Sequence, residues 1–448
     1  MVIETFSHKF DTYNPHQIDA YLLHLADVNS LCGAVAAEDI YNSLGVLIVN
    51  SGAQITPALA RSIMHFTLVK PLELSVRLDR ELDAAQLETD LIDVMQQDDI
   101  LQAIHEYHDL TIALKTFCKN AAQYSILRQK LTVMAHALPE IYKRSLYCTW
   151  LSFLIAKEMR LSEQDIAIIF IAALGHDIGL LHIDADILHR KATLSSEDWL
   201  RVQMHVVIGS HVIIAMPNMP VAVAQAVYEH HERCDGTGYP QGKVESELGL
   251  PGMIVGLADS VVAIYYNRFK TTGGSWRDVI PIVHMNTQTY FSRNYEVLVA
   301  VFRRSELPLK NVVHGDETLE FIVGLAETNT RLKNWFETMH ECLLSIGFRH
   351  GDRRLHSLQN VMLHVSTSVE GSGVFKTQQL LLNSLDKKIS EDVHREIESM
   401  HMVQQEIIFH LQRLSRMTQL YLDSDECKKD EIKSVLAAGL AKAQNFLL

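Results

Sequence analysis

Hydrophobic positions follow three different rhythms along this chain. In residues 1–80, short apolar runs of β character alternate with turn residues. The stretch AEDIYNSLGVLIVNSGAQITPALARSIMHF breaks at Asn42–Gly45 and at Ser51–Gly52, where Asn, Ser and Gly supply turn chemistry. A helix is predicted after Thr56, a good N-cap residue, with Pro57 at the first helical position. KPLELSVRL then reads as a further strand. Residues 81–138 are polar and helical in period, which predicts a connecting helix or pair of helices. Residues 139–307 are helical and include the densest apolar run, IAIIFIAALG (Ile166–Gly175). It is too short to cross a bilayer and predicts a buried core helix.

Residues 308–448 are helical again. After a break at Glu370–Gly373, the apolar residues Val393, Ile397, Met400, Val403, Ile407, Leu411 and Leu414 recur in steps of three and four, predicting a bundle core or a coiled-coil seam. A seam would let this region contact a second copy of the chain, as a homodimer, or a signalling partner. The opposite face mixes acids with bases, unlike a membrane-surface helix. The expected fold is mainly α: a small α/β N-terminal domain (1–80), a helical connector (81–138), an all-helical central domain (139–307) and a helical C-terminal bundle with a regulatory or oligomerisation role (308–448).

Composition narrows the partners. The 448 residues are 48% hydrophobic and 21% charged, with a formal net charge of −14. That charge argues against a nucleic-acid polymer as the main ligand, but not against a small phosphate ligand in a local pocket. Six cysteines lie scattered without a CxxC pair, as in a reducing cytoplasm. The opening stretch MVIETFSHKFDTYNPHQIDA has no apolar h-region, so no secretory signal and no membrane span are expected.

The chemistry concentrates in the central segment. GHDIG occupies 175–179, His205 lies in MHVVIGSH, His230 and His231 open HHERCDGTGYPQG, and Asp259 lies in GLADS. Any one of these is unremarkable: a lone helical His is more often a core or surface residue than a ligand. Together they form a ligand set. His176, Asp177 and Asp259 could complete one metal site and His205, His230 and His231 a second, with the Asp177 carboxylate bridging the two. Nitrogen and carboxylate donors without thiolate suit Fe, Mn, Zn or similar ions better than Ca or Mg. Two ions ~3.5–4 Å apart can clamp a phosphodiester for in-line attack. Asp235, Gly236, Gly238 and Pro240 are ordinary turn residues as well.

These motifs resemble the HD-GYP family, a subgroup of the HD metal-dependent phosphohydrolases. HD followed by IG marks the superfamily, and HHExxDGxGYP marks the subgroup far more specifically. The resemblance covers about Pro139–Leu307 and implies an all-helical HD-type domain that hydrolyses the bacterial second messenger cyclic di-GMP through a metal-bridged hydroxide. It implies a cytoplasmic bacterial signalling protein with two divalent transition metals, iron or manganese first and Zn, Ni or Co as the other candidates. By motif, the metal ligands fall on His176, Asp177, His205, His230, His231 and Asp259. Asp177, Arg233 and Arg268 take catalytic roles. Arg233, Asp235, Gly238, Tyr239, Pro240 and Arg268 border the substrate.

Three positions depart from the family pattern. The opening helix of the family carries Glu and His one turn apart, and here the pair is Glu140 and Arg144. An arginine cannot ligate. A guanidinium ~4 Å from a divalent ion costs about 8 kcal/mol at an effective dielectric of ~20. Either Arg144 turns away to pair with Glu140, or the ion on that side is missing. Leu180 replaces the Lys that follows HDIG, and Val262 replaces a second Asp. These departures point to two ions rather than three. They also raise an alternative: a catalytically weak or inactive receptor for cyclic di-GMP that regulates signalling.

Overall fold

The computed structural model describes residues 13–190, 195–270, 274–285, 292–304, 317–348, 351–372, 391–423 and 430–446. Among the described residues the fold is mainly α, with four short strands near the N-terminus. The chain divides into two compact units, residues 1–271 with 289–307 and residues 272–288 with 308–448. The helix Val279–Met285, placed by sequence in the central domain, packs against the helices Arg353–Ser372 and Glu391–Leu422 of the second unit.

The first unit opens with the helix Ala20–Cys32, capped by the Asp19 side chain and closed by Gly33 at φ +67°. Strand Ala34–Ala36 pairs antiparallel with Val76–Leu78, in register Val35 to Arg77. Ile40–Tyr41 pairs with Leu47–Val49. The turn between the latter two is held by Asn42 Oδ1, which accepts from the Leu44 and Val46 amides. Thr56 caps the helix Pro57–Ile63 as expected. KPLELSVRL is only partly strand: Leu72–Ser75 makes one helical turn after Pro71 before the chain extends at Val76.

Residues 84–137 are four short helices rather than a simple connector. They bury Leu87, Leu91, Leu114 and Phe117. Phe117 stands 5.1 Å from the ring of Phe153 and 5.7 Å from that of Phe170, so this segment completes the core of the central helices. Those helices are Pro139–Glu158, Glu163–Gly175, His205–Ile214, Val221–Glu229 and Leu250–Ile264. Glu163–His182 and Leu250–Phe269 have the length and hydropathy of a membrane span, but 89% of the first window is buried inside protein.

A buried polar chain joins the N-terminal helix to the turn after GHDIG. Lys130 is wholly buried. Its Nζ lies 2.8 Å from His182 Nε2 and 3.1 Å over the Tyr21 ring. His182 Nδ1 is 2.6 Å from Asp19 Oδ2. Burial pulls the Lys130 ammonium down to about 8, against the opposing pull of Glu73 and Asp19.

In the second unit, Val403, Ile407, Leu411 and Leu414 of the helix Glu391–Leu422 pack with Trp335, Met339, Leu358 and Leu440. Ile397 and Met400 pack with Ile322 and Leu325. The apolar stripe is therefore filled from within the unit, a bundle core and not a free seam for a partner. The Val393 side chain lies outside the described residues. Residues 370–372 still belong to the helix Arg353–Ser372, and Gly373 lies outside the described residues.

Lys130→Met should destabilise the first unit by about 3–5 kcal/mol, because Asp19 and Glu73 would lose a buried counter-charge. Urea unfolding measures this, and a change below about 1 kcal/mol would show that the ammonium is not what ties Asp19 and His182 together.

Candidate metal centre

The ligand set is positioned by one local device used three times. His176 caps the C-terminal end of Glu163–Gly175, His205 opens His205–Ile214, and His230 caps Val221–Glu229. In each, ring Nδ1 lies against the carbonyl oxygen three residues earlier: His176 on Ala173 at 2.7 Å, His205 on Val202 at 2.6 Å, His230 on Val227 at 2.6 Å. A carbonyl only accepts, so Nδ1 carries a proton and Nε2 is turned inward as the available nitrogen.

The inward nitrogens converge on Asp177. Its Oδ2 is 3.4 Å from His176 Nε2 and its Oδ1 is 3.4 Å from His205 Nε2. One oxygen thus faces each histidine. His205 Nε2 and His230 Nε2 stand 3.3 Å apart. Asp259 sends Oδ1 to within 3.7 Å of His176 Nε2 and Oδ2 to within 4.0 Å of His231 Nδ1. Two groups have ligand atoms all within 4.8 Å of one another: His176, Asp177 and His230, and His205, His230 and His231. The one free nitrogen of His230 is therefore within reach of both, whereas the sequence reading placed it in one. Asp259, read as completing the first group, stands beside it.

Charge in the pocket follows from burial. Burial lowers His205, and it brings His230 down to about 3, helped by the neighbouring His176 and His205. His231 is lowered well below its ordinary range by burial and by His230 and His205. His176 goes the other way: burial opposes its charge, but Asp177 outweighs burial and raises it. Burial likewise works against the charge of Asp177, yet His176 keeps that carboxyl well below the usual range.

These residues fit metal ions on two counts. His176 Nε2 is a buried ring nitrogen with no hydrogen-bond partner. His205 and His230, both neutral with Nδ1 committed, aim two lone pairs at each other across 3.3 Å, an arrangement a cation relieves. Cys234 is no competing ligand: burial pushes its thiol up to about 11, and Sγ lies 3.8 Å from Met253 Sδ.

Glycines permit the close packing that brings the helices together. A Cβ at Gly179 would collide with the His205 carbonyl oxygen, and one at Gly256 with the His230 carbonyl oxygen. The turn after Asp177 and the helix carrying Asp259 therefore lie directly on the backbone of two ligands.

The loop after His231 is organised by two carboxylates that sequence reasoning missed. Glu232 accepts from the Gln241 amide at 2.6 Å and the Lys243 amide at 2.9 Å. Glu229 accepts from Lys243 Nζ at 2.7 Å and the Gly249 amide at 2.9 Å. Their signal was visible as a Glu on each side of the histidine pair, Glu229 and Glu232. Gly238 packs on the backbone of Glu232 and Arg233, and the Tyr239–Pro240 peptide is cis. Tyr239 lays its ring 4.7 Å from that of His231. Asp235 turns its carboxylate onto the Thr237 amide and hydroxyl. Arg233 donates to the His230 and Glu232 carbonyls and to Ser260 Oγ, so it braces the loop against the Asp259 helix. Arg268 lies half-buried in the π-helical turn Tyr265–Phe269.

A family model described as an HD domain matches residues 131–294. Residues 131–294 form an HD domain of the HD-GYP type. The cyclic di-GMP phosphodiesterase of Thermotoga maritima is 40% identical over 121 residues, 27% of this chain and 33% of that protein. A 3'3'-cGAMP-specific phosphodiesterase of Vibrio cholerae is 33% identical over 129 residues, 29% of this chain and 30% of that protein. The cyclic di-GMP phosphodiesterase PdeB of Borreliella burgdorferi is 26% identical over 184 residues, 41% of this chain and 48% of that protein. The chain thus spans about a third to a half of the length of these relatives.

Within the HD domain, Arg144 does not turn back to Glu140. Its Nη2 lies 3.8 Å from Asp259 Oδ1, while the Glu140 carboxylate, 78% exposed, lies 4.0 Å from Lys270 Nζ. The reason is electrostatic: Asp259 is a buried carboxylate and draws the guanidinium more strongly than a solvated one does. Leu180 and Val262 are both buried apolar residues of the core.

Asp177→Ala should lose most of the bound transition metal, because its two oxygens serve both halves of the pocket. Elemental analysis showing full loading in that variant would remove Asp177 from the ligand set. Acid should weaken the metal-free protein. Unfolded His230 takes a proton near 6.5 while the folded residue resists until about 3, so stability falls as pH drops through that window, by about 1.4 kcal/mol per pH unit for that group. His205 and His231 act in the same direction. Urea titrations at neutral and at mildly acid pH would return equal stabilities if these imidazoles were not buried and neutral.

Proposed function

We infer that the HD domain is a metal-dependent phosphodiesterase that hydrolyses a cyclic dinucleotide, with cyclic di-GMP as substrate. The observation that carries this reading is the convergence of His176, Asp177, His205 and His230 in two overlapping ligand groups. The phosphodiesterase activities named for the relatives supply the substrate class. His176 and Asp177 would hold one ion, with Asp259 beside it, and His205, His230 and His231 the other, with the second Asp177 oxygen facing His205, iron or manganese by donor type. Bound there, the ions would acidify a water and polarise the phosphodiester.

The chain's own residues do the rest. Carbonyl bonds on three Nδ1 atoms hold the imidazoles in one tautomer. Tyr239, beside His231, offers a flat face on which a base can stack. Glu232 and Arg233 fix the loop that carries it. Arg268 and the Asp235 turn border the same mouth in this reading. A cytoplasmic bacterial setting supplies a substrate of this kind and keeps the cysteines reduced.

One observation favours the second reading, a receptor that binds cyclic di-GMP without turning it over: the Arg144 guanidinium already faces Asp259. Anaerobically purified protein should carry about two transition ions per chain and hydrolyse cyclic di-GMP in proportion to its metal content, with chelation abolishing turnover. Chromatography of the nucleotide products, with 3'3'-cGAMP as a parallel substrate, measures this. Tight binding without turnover at full metal loading would establish the receptor. Neither binding nor turnover would overturn both.

A further inference from the structure

Arg144 leaves the helix Pro139–Glu158 on the side that faces Asp259. Its Nη2 to Oδ1 separation of 3.8 Å is an attraction between charges but too long for a hydrogen bond. The Nε of the same side chain is buried with no hydrogen-bond partner. Glu140, one turn earlier and the natural local partner, is engaged near Lys270 instead. The side chain as a whole is 33% exposed. A guanidinium holds five donors in a planar fork that matches the oxygens of a phosphate. A fork held this loosely by its own protein, beside a set of metal ligands, is positioned for an anion that arrives.

Arg144 also changes what the pocket can hold. A guanidinium at ion-pair distance from Asp259 repels any ion placed on that flank, and it cannot itself ligate. Leu180 and Val262, buried and apolar, add no ligand there.

We propose that Arg144 is a phosphate-contacting residue of the HD domain on the flank of Asp259, so that two ions and one guanidinium make up the cationic surface. The diester as ligand rests on the phosphodiesterase reading; the oxyanion chemistry rests on the geometry of Arg144. As negative charge grows on the phosphoryl oxygens during attack, the fork's hydrogen bonds strengthen, so the residue contributes to turnover as well as to affinity.

The test uses the full-length, metal-loaded protein and its Arg144→Met, Arg144→Lys and Arg144→His variants. Metal per chain is measured by elemental analysis, and the affinities for inorganic phosphate and for cyclic di-GMP by calorimetry. Arg144→Met should keep the wild-type metal content and bind both ligands about 10- to 100-fold more weakly, the loss expected for a charge-assisted hydrogen bond. Arg144→Lys should recover part of the affinity, since it restores charge without the fork. Arg144→His should gain metal, because a neutral imidazole replaces a cation beside Asp259.

Unchanged phosphate affinity in Arg144→Met at unchanged metal content would overturn the contact. Loss of metal in both Arg144→Met and Arg144→Lys would also overturn it, by making the residue a support for the ligands. No gain of metal in Arg144→His would overturn the exclusion of an ion from the flank of Asp259. If wild-type protein binds phosphate but neither binds nor hydrolyses cyclic di-GMP, the phosphodiesterase reading fails, while a phosphate defect in Arg144→Met still upholds the contact.

Discussion

Placing several imidazoles and two carboxylates in one buried pocket is the constraint around which the first unit is built. Each imidazole must surrender its water, and burial therefore makes three of the four neutral. Hydrogen bonds from Nδ1 to the carbonyl three residues back take up one nitrogen in His176, His205 and His230. What is left on His205 and His230 is two inward lone pairs that face each other at 3.3 Å, while Asp177 holds the proton on His176 against burial. Without a cation that arrangement is repulsive, and with one it is a ligand set. The same pocket keeps Asp177 and Asp259 ionised, so negative charge and nitrogen donors are ready together.

Holding those groups together depends on backbone more than on side chains. Gly179 lets the turn after Asp177 lie on the backbone of His205, and Gly256 lets the Asp259 helix lie on that of His230. Behind this first layer, Glu229 and Glu232 tie the loop after the histidine pair. The Lys130–His182–Asp19 chain ties the turn after GHDIG to the N-terminal helix. A buried ammonium is a costly tie, and it makes the N-terminal segment part of the scaffold behind the pocket.

The second unit uses a different physics. Its long stripe from Ile397 to Leu414 is closed by Trp335, Met339, Leu358 and Leu440 within the same unit. Periodicity alone could not tell a seam between two copies from a core within one, because both need the same spacing of apolar residues. Which residues close the stripe is a matter of tertiary packing.

Local chemistry wrote much of this protein into its sequence. Thr56-Pro57 starts a helix, Asn42–Gly45 makes a turn, and the apolar run at Ile166–Gly175 is a core helix, because caps, turns and burial periodicity act over a few residues. His176, Asp177, His205, His230, His231 and Asp259 could be picked out together because ligand chemistry restricts residue type. Their pairing could not. The inward nitrogen of His230 comes within reach of both groups, and Arg144 chooses Asp259 over Glu140, because distances between separate helices and the relative burial of two carboxylates exist only once the chain is packed. The inward bonds of Arg233 and the buried Lys130 depend on the same thing: whether a charged side chain faces water or a partner is decided by its surroundings in three dimensions, and those surroundings come from residues far away in the chain.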